Sequence, residues 1–179
     1  MKTLKARFTG LVVAVSVGVA LLIVIAEVIR SIGDADAQAR ARQEMALRGA
    51  ALTLDHALDG FEVTTSAGGA LRRVSWQEAP VFEDHGLIDS IGAVSGETAT
   101  IFVRGEDGDF WRRTTNIVKP DGTRAVGTPL GKQGAVFPVV DAGRSFHGQA
   151  TILGTDYLTI YQPIFGPGGA VEGILYVGV

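Results

Sequence analysis

The feature that most constrains this chain is an uncharged stretch near its N-terminus, residues 8–26, with the sequence FTGLVVAVSVGVALLIVIA. A helix of this length would extend about 28 Å, close to the roughly 30 Å hydrocarbon core of a bilayer. Two lysines and one arginine precede it without any acidic residue, which predicts a cytoplasmic N-terminus and an exported remainder. We therefore expect a cytoplasmic basic flank over residues 1–7 and a transmembrane anchor over residues 8–30.

A cleaved signal peptide is the alternative interpretation of this segment. Residues 35–37, ADA, form a small-x-small cleavage pattern that would leave a mature chain beginning at Gln38. The apolar run is longer than the usual core of about 7–15 residues in a signal peptide, and charged residues separate it from the pattern. These differences favour an uncleaved, single-pass anchor in the inner (cell) membrane. Both interpretations place residues 31–179 outside the cytoplasm, in the periplasm or the extracellular space.

The composition of residues 31–179 fits one exported domain. The chain contains no cysteine, so no disulfide can contribute to its stability. This region has 12 Lys and Arg and 18 Asp and Glu, a formal net charge of −6, which argues against a nucleic-acid partner. Its length is sufficient for a single domain with a buried core.

A long helix is predicted over residues 31–60, the first part of the exported region, because this segment lacks proline and is rich in helix formers. It has one apolar face and a second stripe of small side chains that would allow a partner helix to approach. We therefore expect a homodimer through residues 31–59; a helix that simply covers a sheet is the alternative. The apolar face contains Leu47, Leu54, Leu58 and Phe61, and the small-residue stripe contains Ala46, Gly49, Ala50, Thr53 and Ala57.

The pattern changes after residue 60 to short segments of β-branched or alternating residues separated by glycine-rich turns. FEVTT, TATIFVR and FWRRTTNIV are predicted strands, and GLIDSIGAVSG is a predicted short helix that ends in glycine. YLTIYQPIF and AVEGILYVGV are predicted to form a final hairpin through the turn GPGG. The predicted fold class is α+β, with the N-terminal helix packed on a mostly antiparallel sheet.

Several of these segments resemble a known family. TATIFVR, DFWRRTTNIVKPDGTRAVGTPLG and ILGTDYLTIYQPIFGPGGAVEGILYVGV resemble the Cache domains of bacterial receptors, in particular the single-Cache and Cache 3/Cache 2 group of methyl-accepting chemotaxis proteins. The resemblance implies a PAS-like Cache sensor domain over residues 61–179 that binds a small ligand outside the cytoplasm. In that family the last strand leads into a second transmembrane helix and a signalling module. The chain is then expected to be a receptor sensor truncated before that helix, or a standalone anchored domain.

Two adjacent arginines in the predicted strand FWRRTTNIV should point to opposite faces, so only one is expected to reach a ligand. The resemblance favours Arg112, which fits the family pattern F-x-R-x-S/T-T-N. A planar guanidinium suits a carboxylate because it donates two parallel hydrogen bonds. A surface arginine paired with a nearby acid is the alternative. Strict alternation would place Phe110, Arg112, Thr114 and Asn116 on one face and Trp111, Arg113 and Thr115 on the other.

The expected ligand is a small organic acid. Arg124 would share its charge, Thr115 and Asn116 would add hydrogen bonds, and tyrosines from one strand face would form the walls. The alternatives are a solvated loop residue for Arg124 and an ordinary sheet face for the tyrosines. The expected ligand-binding residues are Arg112, Thr115, Asn116, Arg124, Tyr157, Thr159 and Tyr161.

No catalytic residue, metal or cofactor is expected. The three histidines have no metal-ligand spacing, and the sequence contains neither a nucleophile elbow nor a phosphate-binding loop. A periplasmic hydrolase would need a nucleophile, a base and an orienting acid, and no such constellation is evident. We therefore expect a sensor and not an enzyme. A membrane-anchored structural or scaffolding domain without a functional pocket is the alternative.

Overall fold

A computed structural model describes the backbone of residues 2–179 and the side chains of residues 16–34 and 37–179. The chain forms two compact units, Met1–Ala41 and Arg42–Val179, and its first helix contributes to both. The elements in chain order are α1 (Lys2–Ala57), β1 (Phe61–Thr65), β2 (Leu71–Trp76), α2 (Gly86–Ser95), β3 (Thr98–Arg104), β4 (Phe110–Thr115), α3 (Phe137–Asp141), β5 (Phe146–Ile152), β6 (Thr155–Phe165) and β7 (Val171–Gly178).

The N-terminal part of α1 has the properties of a membrane span. Beginning at Ser16, it contains an 18-residue window with a mean hydropathy of 2.0, and none of that window is buried within the described chain. The apolar side chains between residues 17 and 32 are exposed, as expected for a segment that contacts lipid. This helix therefore fits a membrane anchor. The side chains of the basic flank, residues 1–7, lie outside the described residues.

The C-terminal part of α1 packs on the sheet through residues spaced at helical intervals. Leu47, Ala51 and Leu54 are fully buried, and the Gln43 side-chain amide donates a hydrogen bond to the carbonyl oxygen of Leu158 in β6. The predicted long helix is therefore present, but it ends at Ala57. The other two members of the predicted apolar face lie beyond this end: Leu58 follows the helix, and Phe61 begins β1.

The small-residue stripe of α1 is divided between the core and the surface. Ala50 is only 2% exposed and belongs to the core, so it cannot face a partner helix. Gly49, Thr53 and Ala57 are exposed and Ala46 is half-buried. The homodimer through residues 31–59 stays a prediction, and a leucine at position 50 would overpack the core of the monomer.

The seven strands form one mixed sheet with the order β1-β2-β6-β7-β3-β4, and β5 also pairs with β6. Only the β2–β6 pair is parallel, and the other pairs are antiparallel. The predicted α+β class and the final hairpin are therefore confirmed. The helix predicted from GLIDSIGAVSG is also confirmed as α2, because Gly96 ends it in the left-handed conformation that favours glycine.

The central strands of the sheet are covered on both faces. We call the interior between the sheet and the helices α1 and α2 the helix-side core; it includes Leu54, Ile88 and Ile101. The interior on the other face, which includes Phe102 and Tyr161, is the cavity-side core. Ile101 and Phe102 are neighbours in β3, so the two-residue period of the strand assigns successive residues to different interiors.

The backbone of β7 at Gly173 packs closely against Trp76 in the helix-side core, and this contact gives a first prediction. A Cβ atom at Gly173 in β7 would overlap the ring of Trp76 and lie 2.8 Å from the carbonyl oxygen of Phe102. Gly173→Ala should therefore lower the free energy of unfolding by about 2–3 kcal/mol, since backbone on one side cannot move away. At Gly168, in the turn before β7, no atom lies within 4 Å of an added Cβ. Gly168→Ala should leave the urea unfolding midpoint unchanged, and equal midpoints for both variants would contradict this packing.

Candidate ligand-binding site

A cavity of about 370 Å³ lies on the cavity-side face of the sheet, and we call it the Arg112 cavity. Strand β5 forms one wall, and residues 128–136, which lead into α3, form the other. Its lining is mixed, with aromatic and aliphatic side chains and a small number of polar groups, as is typical of small-molecule sites. The residues lining it are Arg112, Thr128, Pro129, Leu130, Gly134, Ala135, Val136, Phe146, Gln149, Ala150, Thr151, Ile152, Leu153 and Tyr161.

The central polar group of this cavity is the guanidinium of Arg112, which is only 6% exposed. Its Nη1 donates a hydrogen bond to Thr128 Oγ1 at 2.5 Å, whereas its buried Nε has no hydrogen-bond partner. Its Cζ lies 4.9 Å from the ring centroid of Phe102. Among the residues whose side chains are described, no carboxylate lies within 4.0 Å of Arg112.

Burial lowers the pKa of Arg112, because desolvation disfavours its charged form, and the nearby Tyr161 and Tyr176 oppose this effect. An arginine nevertheless remains charged in proteins at neutral pH. The domain therefore holds a buried positive charge that no carboxylate among the described side chains balances within 4.0 Å. Such a group can bind an anion that enters the cavity.

A register shift between β3 and β4 determines which side chains accompany Arg112. Phe102 pairs with Arg112 and Ile101 pairs with Thr114, so Arg113 is an extra residue in β4. Strict alternation along β4 was therefore a wrong prediction. Thr114 Oγ1 lies 3.0 Å from His85 Nδ1 on the helix side.

Thr115 consequently lies on the same face as Arg112. Its hydroxyl is 2.7 Å from that of Thr100, two residues before Phe102 in β3. The opposite orientation predicted for Arg112 and Arg113 is confirmed, because Arg113 is exposed. The bulge therefore leaves Arg112 and Arg113 pointing in opposite directions. It also places Thr115 on the face of Arg112, the reverse of the prediction.

The strand β6 supplies the predicted tyrosine face. Tyr161 lines the Arg112 cavity, and its ring centroid is 4.9 Å from that of Tyr176 in β7. Tyr157 packs against the same cavity-side core without lining the cavity. Thr159 is buried, and its hydroxyl donates to the carbonyl oxygen of Gly148 at 2.7 Å.

Two other predicted site residues lie away from the cavity. Asn116 accepts a hydrogen bond from the Ala99 amide at 2.8 Å and donates to the Glu97 carbonyl at 3.0 Å, so it links the start of β3 to the end of β4.

Arg124 pairs with Asp89 of α2 through two contacts of 2.7 Å. This pairing raises the pKa of Arg124 and lowers that of Asp89. The structure therefore does not bring Arg124 together with Arg112.

The comparison with known families identifies the class of this domain. The family model described as the Cache 3/Cache 2 fusion domain matches residues 68–179, more than half of the chain. The chain belongs to this family. Cache domains are extracellular sensor domains that bind small ligands, and they are not catalytic modules. No curated protein and no solved structure matches the chain.

The Cache match includes every residue that lines the Arg112 cavity. The mostly antiparallel sheet and the long N-terminal helix are consistent with the Cache fold that the sequence motifs predicted. Within residues 16–34 and 37–179, no group of three or more acidic or histidine side chains is arranged to hold a metal ion. The chemistry that the cavity offers is charge pairing and hydrogen bonding to a ligand.

Three polar residues of the cavity escaped the sequence analysis of this Cache domain: Thr128, Gln149 and Thr151. Thr128 lies in an irregular segment, where no periodicity indicates which way a side chain points. Its neighbours Pro129 and Gly131 give only a weak signal, because proline and glycine indicate an irregular segment without showing which way a side chain points. The Thr128 carbonyl accepts a hydrogen bond from the Arg112 amide at 3.0 Å, which fixes this segment against β4.

The helix α3, which follows the second wall of the cavity in the chain, is held to the sheet by Arg104 at the end of β3. Its Nη2 lies 2.5 Å from a carboxylate oxygen of Asp141 in α3, and its Nε donates to the carbonyl oxygen of Val171 at 2.7 Å. Its guanidinium also lies 4.2 Å from the ring centroid of Phe110. One side chain thus connects β3, α3 and β7.

A prediction follows for alkaline pH. Burial raises the pKa of Tyr161 to about 12, and the positive charge of Arg112 partly opposes this rise. An unfolded chain would ionise this phenol near pH 10, so stability present below pH 10 should be lost progressively as the pH rises to about 12. Tyr161→Phe should reduce this loss by about 1–2 kcal/mol in urea titrations at pH 9 and pH 11.5. The same loss in the variant and the parent would contradict this environment for Tyr161.

Proposed function

We propose that this protein is a membrane-anchored, extracytoplasmic sensor domain of a bacterial chemotaxis or signal-transduction receptor, and that its ligand is a small organic acid. The observation that supports this ligand class is the buried Arg112 guanidinium, which opens into a cavity and has no carboxylate partner among the described side chains. Membership in the Cache family supports the sensing role. The buried Arg112 guanidinium supports a ligand with a negative charge.

The buried charge of Arg112 has an energetic cost. A guanidinium removed from water without a counterion loses solvation free energy, which one hydrogen bond to Thr128 only partly offsets. A carboxylate in the cavity would accept hydrogen bonds from the planar guanidinium and offset the rest. Because residues 31–179 carry a net charge of −6, this local positive charge is also needed to attract an anion.

The size of the cavity restricts the ligand. A cavity of about 370 Å³ can enclose a short organic acid, whereas a folded domain or a polymer is too large to fit inside it. In the proposed complex, Arg112 pairs with the carboxylate, Thr128 and Gln149 contribute hydrogen bonds, and Tyr161 forms a wall. Thr115, Asn116, Arg124, Tyr157 and Thr159, the other residues expected to bind ligand, would support the surrounding strands and loops.

The central test compares the effects of replacing the neighbouring residues Arg112 and Arg113 on ligand affinity. Arg112→Met should abolish detectable binding of an acid with micromolar affinity, since loss of a buried charge pair costs about 2–5 kcal/mol. Arg112→Lys should restore only part of the affinity, because an ammonium cannot make the two-pronged contact. The measurement is a thermal-shift screen of short mono-, di- and tricarboxylic acids, followed by calorimetry. A hundred-fold excess over Kd should stabilise the parent by about 2.7 kcal/mol.

Arg113→Met is the matched control. Arg113 is the exposed neighbour of Arg112, so its replacement should leave the affinity unchanged. Loss of binding in Arg113→Met but not in Arg112→Met would contradict the role given to the cavity. If amines shift the midpoint and acids do not, the organic-acid class is wrong. If no small molecule shifts it, the alternative of a structural or scaffolding domain without a functional pocket is favoured.

The proposed anchor has its own test. The full chain expressed in a bacterial host should remain in the membrane fraction and keep its complete N-terminal mass, because residues 8–26 form an uncharged span with a basic flank. Intact mass spectrometry of the membrane-bound protein measures this directly. A mature chain that begins at Gln38 would establish the signal-peptide alternative and remove the anchor from the proposal.

A further inference from the structure

A second concave site lies on the helix side of the sheet, between α1 and α2, and we call it the helix groove. Its volume is about 340 Å³, and its walls are mainly apolar. Two large apolar side chains at its border are exposed to solvent, Met45 at 56% and Val94 at 91%. The groove is lined by Arg42, Met45, Ala46, Gly49, Ala50, Thr53, Ser90, Ile91, Val94, Ser95 and Glu97.

One acidic residue contributes to this apolar groove. Glu97, in the connection from α2 to β3, is only 7% exposed, and neither of its buried carboxylate oxygens has a hydrogen-bond partner. Desolvation raises the pKa of Glu97, and the positive charge of Arg42 opposes that rise. Arg42 nevertheless forms no ion pair with Glu97 within 4.0 Å among the described side chains.

We propose that the helix groove binds an organic cation, with the ammonium or guanidinium group of the ligand paired to Glu97 and its apolar part packed on α1 and α2. Charge complementarity in an apolar setting favours this ligand. A buried carboxylate without a donor is costly, and a cationic group would supply both the missing charge and the missing hydrogen bonds. The apolar walls would bury the body of the ligand, so the site requires a molecule with both parts.

The helix groove is separate from the Arg112 cavity. Their linings share no residue, and they lie on opposite faces of the sheet, where Ile101 belongs to one core and Phe102 to the other. The two sites also have opposite charges, Glu97 in one and Arg112 in the other. A cation bound in the groove therefore does not depend on the function proposed for the cavity.

Three soluble probes of similar shape and different charge test the proposal: 2-phenylethylammonium, 2-phenylethanol and phenylacetate. Calorimetry uses the full chain in zwitterionic lipid nanodiscs, with the heat of empty nanodiscs subtracted. The ammonium should bind the parent, and Glu97→Gln, which removes the charge and keeps the shape, should weaken binding about thirty-fold or more. The alcohol and the carboxylate should bind the parent far more weakly than the ammonium.

Two further variants separate the possible explanations. Gly49→Leu should also abolish ammonium binding, because no atom lies within 4 Å of an added Cβ and the larger side chain would fill the groove. This variant keeps the test valid if Glu97→Gln does not fold. Arg112→Met should bind the ammonium as the parent does, so failure of the organic-acid proposal is distinguishable from failure of this one.

Other results would overturn the proposal. Equal binding of the ammonium and the alcohol, or unchanged affinity in Glu97→Gln, would show an apolar surface without recognition of charge. Absence of ammonium binding would also overturn it. If sedimentation then shows a concentration-dependent dimer that Gly49→Leu disrupts, the occupant of the groove is a second copy of the chain.

Discussion

The sheet of this Cache domain separates two interiors, and the alternation of its central strands assigns each side chain to one of them. Ile101 packs under the helices α1 and α2, while its neighbour Phe102 packs toward the Arg112 cavity. A register slip of one residue would exchange these two environments, because the side-chain period of a strand is two. The close packing of Gly173 against Trp76 opposes such a slip on the helix side. The positions of both candidate sites depend on this register.

Each interior contains a buried charged residue that lacks an oppositely charged partner within 4.0 Å among the described side chains. Arg112 lies on the cavity side and Glu97 on the helix side, and both have buried polar atoms without hydrogen bonds. Their mutual attraction cannot satisfy either group, because the sheet lies between them. Such groups reduce stability unless a ligand or partner supplies the missing interactions. Both proposals therefore have the same physical basis, with opposite charges.

Most of the fold could be predicted from the sequence, because the elements have strong local signals. Glycine turns mark the ends of β3 and of α2, and two apolar runs joined by the turn GPGG identify the final hairpin. The site was less predictable. A bulge at Arg113 reverses the face of Thr115, and alternation alone cannot show where an extra residue lies. Arg124 pairs with Asp89, which is 35 positions away in the sequence. Arg112 pairs with Thr128, which lies in an irregular segment. Local patterns contain no information about such contacts.

The connection that Arg104 makes to α3 combines a charged contact with apolar packing. Arg104 and Asp141 are partly exposed, with 29% and 45% of their side-chain surfaces accessible, so dissolved ions can screen their attraction. The apolar contacts of α3, such as Phe137 against Phe110, do not weaken in this way. Ionic strength should therefore weaken the charged contact of α3 and leave its apolar packing intact. The salinity of the surrounding medium should therefore tune how firmly α3 is held to the sheet.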